Sequence, residues 1–203
     1  MRESPYNNNR KTVVAITGAS GACYACRLLD KLLLSNISPE NIAVVFSSNG
    51  LKVFEYEIGL QALEKIRGSF NVFDNNDFMV PFASGSSVCD TLIVAPCSMG
   101  TLARIASGVA SDLVSRTADV VLKERKRLIL MTREMPLNSI HLENMLKVTN
   151  AGGIICPASP SFYSRPADIE ALISTVIERI LSLSAIDCQG KFEWMKSEKQ
   201  TTV

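Results

Sequence analysis

The chain has 203 residues, of which 47% are hydrophobic, and its 21 lysines and arginines nearly balance its 20 aspartates and glutamates. A net charge of +1 excludes a strong overall attraction to nucleic acid or to a membrane surface, and we expect neither as a partner. The sequence shows no charged-then-apolar leader and no apolar run long enough for a bilayer, so it predicts a cytoplasmic protein.

Five short β-branched runs and the helical patterns between them define the predicted fold. The runs lie at residues 12–16, 42–46, 91–95, 128–132 and 153–156, and the helical patterns at residues 21–34, 48–66 with a break near Gly59, 100–106, 112–125, 138–150 and 167–184. Because the runs are apolar without alternation, they fit strands that are covered on both faces. The sequence therefore predicts an α/β fold, a three-layer doubly wound parallel sheet in a single domain.

The two ends and one interior segment differ from this pattern. Residues 1–10 are predicted to be a polar N-terminal tail, residues 11–186 the single domain, and residues 187–203 a charged C-terminal arm. Residues 67–85 have the weakest pattern inside the domain and are predicted to be largely loop. A loop of that length in a compact domain is often functional.

Residues 18–22, with the sequence Gly-Ala-Ser-Gly-Ala, form a turn between the first predicted strand and the first predicted helix. Such a turn presents unpaired backbone N–H groups and the positive end of a helix dipole to an anion. It departs from the dinucleotide fingerprint, because Ser20 and Cys23 stand where that motif has glycines. It also falls one residue short of a nucleophile elbow, but the lone histidine, His141, lies in a distant predicted helix. The turn alone leaves open a ligand-binding role and a role in packing.

Two further strand ends carry polar residues. Ser98 and Thr101 follow the strand at residues 91–95, and Arg133 and Glu134 follow the strand at residues 128–132. In a doubly wound sheet, ligands bind outside the carboxyl ends of the strands, so these loops and the first turn can converge on one ligand. A helix cap at Ser98 and a surface ion pair of Arg133 with Glu134 are the alternative interpretations.

The cysteines, the histidine and one basic run limit the chemistry. The six cysteines lie mostly inside apolar segments, which indicates buried thiols, and Cys23 and Cys26 have a redox spacing for which a packing role is favoured. His141 cannot build a His-rich zinc site within one chain and is favoured as a structural hydrogen-bonding residue. No acidic metal cluster is visible, and we expect no metal. Residues 123–127 are interpreted as the cationic C-terminus of a helix.

These loops together resemble the UbiX family of flavin prenyltransferases. The matching stretches are residues 16–22, 95–103, 118–125, 133–137, 140–147 and 162–163, and the likeness runs from about Thr12 to about Leu183. The resemblance implies a Rossmann-like, flavodoxin-like subunit that binds reduced FMN and transfers a dimethylallyl group from dimethylallyl phosphate to the N5 and C6 atoms of the flavin. It also implies that the prenylated FMN serves a UbiD-type decarboxylase, and that the chain assembles as a homo-dodecamer with active sites between subunits.

The resemblance also assigns roles by matching position. It implies FMN contacts at Gly18, Ala19, Ser20, Ser47, Ser98, Met99, Gly100, Thr101 and Arg133, with Ser20 near the reacting N5 and residues 83–87 along the flavin edge. It implies prenyl-phosphate contacts at Lys123, Tyr163, Arg179 and Arg116. Glu134 is expected to be the acid/base residue, and Trp194 is expected to cover the site from the C-terminal arm.

Two other functions compete with this one. An FMN-dependent cysteine decarboxylase would share the fold, but the resemblance to that group fails at an early histidine that this chain lacks. A non-catalytic FMN carrier would need none of the donor-site residues, so the presence of Glu134, Lys123, Tyr163 and Arg179 argues against it.

Overall fold

The structure, a computed structural model, describes residues 10–87 and 89–187. Its centre is one parallel sheet of six strands, which are β1 (Thr12–Ile16), β2 (Ile42–Phe46), β3 (Asn71–Asp74), β4 (Thr91–Cys97), β5 (Arg127–Thr132) and β6 (Ile154–Ile155). The strand order is β3-β2-β1-β4-β5-β6, so the chain changes direction between β1 and β4. This order confirms the predicted doubly wound fold, and it places the expected ligand crevice at the ends of β1 and β4.

Helices cover both faces of the sheet. They are α1 (Ala22–Leu33), α2 (Ser48–Glu57), α3 (Leu60–Ser69), α4 (Met99–Ala106), α5 (Leu113–Lys123), α6 (Ser139–Asn150) and α7 (Ile169–Leu183). One apolar core joins the sheet to α1, α2, α3 and α7, and includes Leu28, Phe54 and Ile177. The other joins it to α4, α5 and α6, and includes Leu102 and Val121. The two cores explain why the strands are apolar without alternation.

The sequence patterns located most elements but missed one strand. The bounds of β1 and β2 are as predicted, and the predicted helix over residues 48–66 is broken at Gly59, whose φ is 99°. Strand β3 lies in the segment predicted to be loop. It is a four-residue edge strand whose two terminal residues, Asn71 and Asp74, are exposed, so it has no apolar run that would distinguish it from a loop.

The basic run near the end of α5 forms contacts within the protein. Lys123 lies in the last turn of α5, as expected for a cation at a helix C-terminus. Lys126 pairs with Asp90 at 2.9 Å, and Arg127 Nη1 donates to the carbonyl of Ser184, which caps α7, at 3.3 Å. The interpretation as a helix C-terminus therefore holds for Lys123, while Lys126 and Arg127 bind residues outside α5.

None of the described helices is both long and apolar enough to cross a bilayer.

The ends of β1 and β2 are in direct backbone contact. Ser47 N donates to the carbonyl of Ile16 at 3.0 Å, and a Cβ placed on Gly50 would lie 2.1 Å from that same oxygen. A Cβ placed on Gly18 would lie 2.8 Å from Asn49 Cβ. Glycine is therefore required at Gly50 because the start of α2 is pressed against the end of β1.

We predict that Gly50→Ala destabilises the protein by about 3 kcal/mol, because the added methyl group overlaps a fixed backbone carbonyl. Gly68→Ala is the matched control, since Gly68 is exposed on α3 and a Cβ there would meet nothing within 4 Å. The control should stabilise by up to about 1 kcal/mol through helix propensity. Urea unfolding measures both variants, and equal effects of the two substitutions would contradict the close contact at Gly50.

Candidate active site at the strand ends

Thr17 joins the first two predicted flavin loops. Its Oγ1 donates to the carbonyl of Pro96 at 2.8 Å and accepts from Ser98 N at 2.8 Å, while its own N–H donates to the same carbonyl at 3.2 Å. Thr17 is 1% exposed, so these bonds form away from water. The turn at residues 18–22 and the turn that opens α4 are thus held in one fixed relation.

Ser98 is the N-cap of α4. Its Oγ accepts from Thr101 N at 3.3 Å, so the alternative interpretation of Ser98 as a helix cap is correct. Capping leaves amides of the first turn, such as those of Met99 and Gly100, without helical partners. Gly100 is exposed, so this end of α4 is open to a ligand. Ser47 is the equivalent N-cap of α2, where its Oγ accepts from Gly50 N at 3.0 Å.

The turn at residues 18–22 already holds an anion, which belongs to the chain itself. The carboxylate of Glu57 accepts from Gly21 N at 2.9 Å and from Ala22 N at 2.8 Å, and the Ser20 hydroxyl donates to it as well. The expectation of free amides for an external phosphate at the start of α1 is therefore wrong. Gly21, with a φ of 108°, gives the turn the left-handed conformation that aims these groups at Glu57.

Sequence reasoning missed Glu57. It is an exposed glutamate at the end of α2, and nothing in its local pattern distinguishes it from Glu55 two residues earlier. Burial by itself raises the pKa of Glu57, but the hydrogen bonds from Ser20, Ala22 and Gly21 and the nearby Arg133 outweigh it, so the pKa is lowered. Glu57 is thus an ionised acceptor beside Ser20.

Arg133 lies beside Gly21 and Glu57. Its Cγ is 4.0 Å from the position that a Cβ on Gly21 would take, and its charge lowers the pKa of Glu57 and opposes the burial that raises the pKa of Tyr24. Arg133 follows the last residue of β5 and is exposed. Arg133 thus brings the end of β5 next to the turn after β1 and the end of α2.

Arg116 and Lys123 form a second group beside the segment that was expected to line the flavin edge. Arg116 Nε donates to the carbonyl of Ala83 at 3.1 Å, and Arg116 Nη1 pairs with Asp119 at 3.0 Å. Lys123 pairs with Glu124, and a Cβ on Gly85 would lie 2.9 Å from Lys123 Nζ. The structure therefore brings both predicted phosphate-binding cations of α5 to residues 83–85.

The remaining predicted residues, Glu134, Tyr163 and Arg179, are all exposed. Glu134 is exposed, and its Oε1 accepts from the N–H of Met135 at 3.1 Å. Tyr163 is 72% exposed in the segment between β6 and α7. Arg179 lies on the exposed side of α7, about 15 Å along that helix from its first residue. Its charge opposes the burial that raises the pKa of the Cys156 thiol.

The cysteines and His141 have structural roles. Burial raises the pKa of the Cys26 thiol to about 11 and also raises the pKa of Cys23, so neither has the low pKa of a reactive redox thiol. His141 belongs to the capping box of α6, where its N–H donates to Asn138 Oδ1 at 2.9 Å. Both results agree with the roles favoured from the sequence.

Two sequence-based expectations remain, which are the cover by Trp194 and the question of a metal. Trp194, expected to cover the site, lies outside the described residues. Within residues 10–87 and 89–187, no group of three or more histidine, cysteine or acidic side chains is arranged to hold a metal ion.

We predict that Glu57→Gln lowers the free energy of unfolding by about 1 kcal/mol at pH 7, because an amide cannot accept from two backbone N–H groups and the Ser20 hydroxyl as a carboxylate does. The native pKa of Glu57 is lowered, so its contribution is full above the unfolded pKa and is lost as the pH falls through the native pKa. The difference from the unsubstituted protein should therefore shrink below pH 4.5.

Urea unfolding at neutral and at acidic pH measures this change, with Glu55→Gln on the same helix as the control. A deficit that stays constant as the medium is acidified would show that the carboxylate charge of Glu57 does not hold the turn.

Comparisons with known proteins identify the family of this chain. The flavoprotein family matches residues 1–181. A flavin prenyltransferase UbiX from Methanocaldococcus jannaschii is 42% identical over 177 residues, which cover 87% of this chain and 94% of the relative.

Solved structures give the same assignment. The crystal structure of AnUbiX in complex with FMN and dimethylallyl pyrophosphate matches with a TM-score of 0.81 at 42% identity, covering 91% of this chain and 99% of that one. A dodecameric FMN-dependent UbiX-like decarboxylase from Escherichia coli matches with a TM-score of 0.82 at 36% identity, covering 90% and 98%. The FMN-dependent cysteine decarboxylase SpaF matches at only 16% identity with a TM-score of 0.58, which shows a shared fold alone. The chain therefore belongs to the flavoprotein family and, within it, to the UbiX flavin prenyltransferases.

Proposed function

We propose that this chain is a flavin prenyltransferase that transfers a dimethylallyl group from a dimethylallyl phosphate to N5 and C6 of reduced FMN. The observation that carries the proposal is the tie through Thr17, which holds the Ser20 turn and the open start of α4 side by side at the switch point of the sheet. The relationship to UbiX proteins supplies the reaction class.

The residues at the strand ends fit FMN by their chemistry. Ser47 and Ser98 use their oxygens to cap helices and keep a hydroxyl hydrogen to donate, and the start of α4 adds backbone donors. FMN offers matching acceptors in its phosphate and ring carbonyls. The small residues Gly18 and Ala19 leave room for a flat ring beside the turn. We therefore assign Gly18, Ala19, Ser20, Ser47, Ser98, Met99, Gly100, Thr101 and Arg133 to FMN binding.

The chain's acidic and hydroxyl groups are suited to proton handling beside the ring. When bound and reduced, the flavin would supply electron-rich atoms that attack the allylic group of the donor. Ser20 donates to the ionised Glu57, so a proton near Ser20 Oγ has an acceptor at the Glu57 carboxylate. Glu134 follows Arg133 at the end of β5, and we assign it as the second acid/base residue.

Cations on α5 are suited to the departing phosphate. Cleavage of the allylic C–O bond leaves negative charge on the phosphate, and positioned cations stabilise that charge. Arg116 and Lys123 are each held by a neighbouring carboxylate and packed against residues 83–85, which restrains their geometry. We assign these two residues, with Tyr163 and Arg179, to the donor site.

The position of Arg179 favours a site shared between copies of the chain. Arg179 lies on the outer side of α7, and the exposed apolar residues Ile140, Leu142 and Leu146 on α6 offer a surface that a second copy could bury. The Escherichia coli neighbour is dodecameric. We propose a homo-oligomer in which a second subunit brings Tyr163 and Arg179 to the flavin, and a UbiD-type decarboxylase as the user of the product.

Mass analysis of the flavin tests the function. The protein is incubated without oxygen with reduced FMN and with either dimethylallyl monophosphate or dimethylallyl diphosphate. We expect a flavin heavier by one dimethylallyl group with at least one donor, and the comparison identifies which donor is used. An unchanged flavin mass with both donors, in a protein that binds FMN, would contradict the proposal in favour of an FMN carrier.

We predict that Glu134→Gln keeps FMN affinity unchanged and slows prenylation by about 100-fold or more, because a positioned acid/base group contributes that much to proton transfer. Glu40→Gln is the matched control, since Glu40 is an exposed glutamate just before β2, at the opposite end of that strand from Ser47. Single-turnover rates measure both variants. A Glu134→Gln rate equal to that of the control would remove Glu134 from the acid/base role.

A further inference from the structure

Arg104 lies one turn beyond Thr101 on α4 and reaches back to the start of that helix. Its Nη2 donates to Thr101 Oγ1 at 3.1 Å and lies 3.3 Å from Asp112 Oδ2, at the N-cap of α5. Its Nη1 lies 3.9 Å from the position that a Cβ on Gly100 would take. Its Nε is buried and has no hydrogen-bond partner among the described residues. Arg104 is therefore a cation held in place beneath the turn.

The contact with Arg104 determines how the Thr101 hydroxyl is oriented. A guanidinium can only donate hydrogen bonds, so Thr101 Oγ1 accepts from it. Thr101 is 1% exposed, and its hydroxyl hydrogen therefore needs an acceptor within the protein. Ser98 Oγ, at 3.1 Å, is that acceptor.

The orientation of Thr101 in turn fixes Ser98. Ser98 Oγ accepts from Thr101 N at 3.3 Å and from the Thr101 hydroxyl, which uses both of its lone pairs. Only its own hydrogen is left, and Ser98 is half-buried at the open start of α4. Ser98 can then meet a ligand as a donor and in no other way.

We propose that Arg104 is a positioning residue that, acting through Thr101, fixes the Ser98 hydroxyl as a donor and makes the start of α4 select FMN over riboflavin. A phosphate carries only acceptors at neutral pH and is attracted by the helix dipole, whereas a neutral hydroxyl gains little from either. The inference rests on the proposed function, since it concerns the flavin that this site takes.

Flavin binding by Arg104 variants tests the proposal. Dissociation constants for FMN and for riboflavin are measured by flavin fluorescence with the full chain, Arg104→Met and Arg104→Lys. We expect Arg104→Met to weaken FMN binding about tenfold while riboflavin binding is unchanged, because a hydrogen bond to a charged group has about that value. Arg104→Lys should lose less. A general disturbance of the fold would instead weaken both flavins alike.

Variants of Thr101 test the route and cover the case in which Arg104→Met does not fold. Thr101→Val keeps the shape of the side chain but removes the hydroxyl that links Arg104 to Ser98, so it should reduce FMN selectivity. Thr101→Ser keeps that hydroxyl and should retain the selectivity. In a Ser98→Ala background, removal of Arg104 should cause no further loss of FMN affinity, because the hydroxyl that Arg104 orients is already absent.

The control is Lys65→Met, which removes a cation of the exposed Lys65–Asp30 pair far along α3. Equal FMN-to-riboflavin ratios for the unsubstituted protein, Arg104→Met and Thr101→Val would overturn the inference, as would an original protein that does not distinguish the two flavins. A protein that selects FMN through Arg104 but leaves the flavin mass unchanged with both prenyl donors would overturn the proposed transferase and keep this inference.

Discussion

The buried hydroxyl of Thr17 is the constraint on which the site depends. Parallel strands end at one edge of a sheet, but the turns that follow them are free to diverge. Thr17 prevents this because its hydroxyl donates to the carbonyl of Pro96 at the end of β4. The same hydroxyl oxygen accepts from the N–H of Ser98, the N-cap of α4. The contact of Gly50 with the carbonyl of Ile16 fixes the end of β2 in the same way. Three turns thus form one rigid rim.

The two helix N-termini on this rim have different uses. At α1 the amides of Gly21 and Ala22 donate to the Glu57 carboxylate, so this end holds an internal anion that is also the acceptor for Ser20. At α4 the cap is a neutral serine, and a guanidinium lies behind it. The first end is suited to handling protons and the second to holding a phosphate. A prenyl transfer needs both, since the flavin must be anchored while protons move near its ring.

Sequence patterns were sufficient wherever a signal is local. The strand runs, the break at Gly59, the cap at Ser98 and the structural use of His141 all follow from neighbouring residues. Glu57 and Arg104 could not be found in this way, because each acts on a turn that only the folded chain brings near it. The edge strand β3 lacks an apolar run for a related reason, since it is covered less than the central strands. The roles of Glu134, Tyr163 and Arg179 stay predictions, because each side chain is exposed and its local geometry does not assign it a ligand.

We infer that the rim tied by Thr17 holds FMN, with the phosphate at the start of α4 and the ring beside Ser20. A crystal structure of this protein soaked with FMN tests it most directly. We expect phosphate oxygens within hydrogen-bond distance of Ser98 Oγ and of the Met99 and Gly100 amides, and the flavin N5 edge next to Ser20. A phosphate at another strand end, or a ring remote from Ser20 and Glu57, would contradict it.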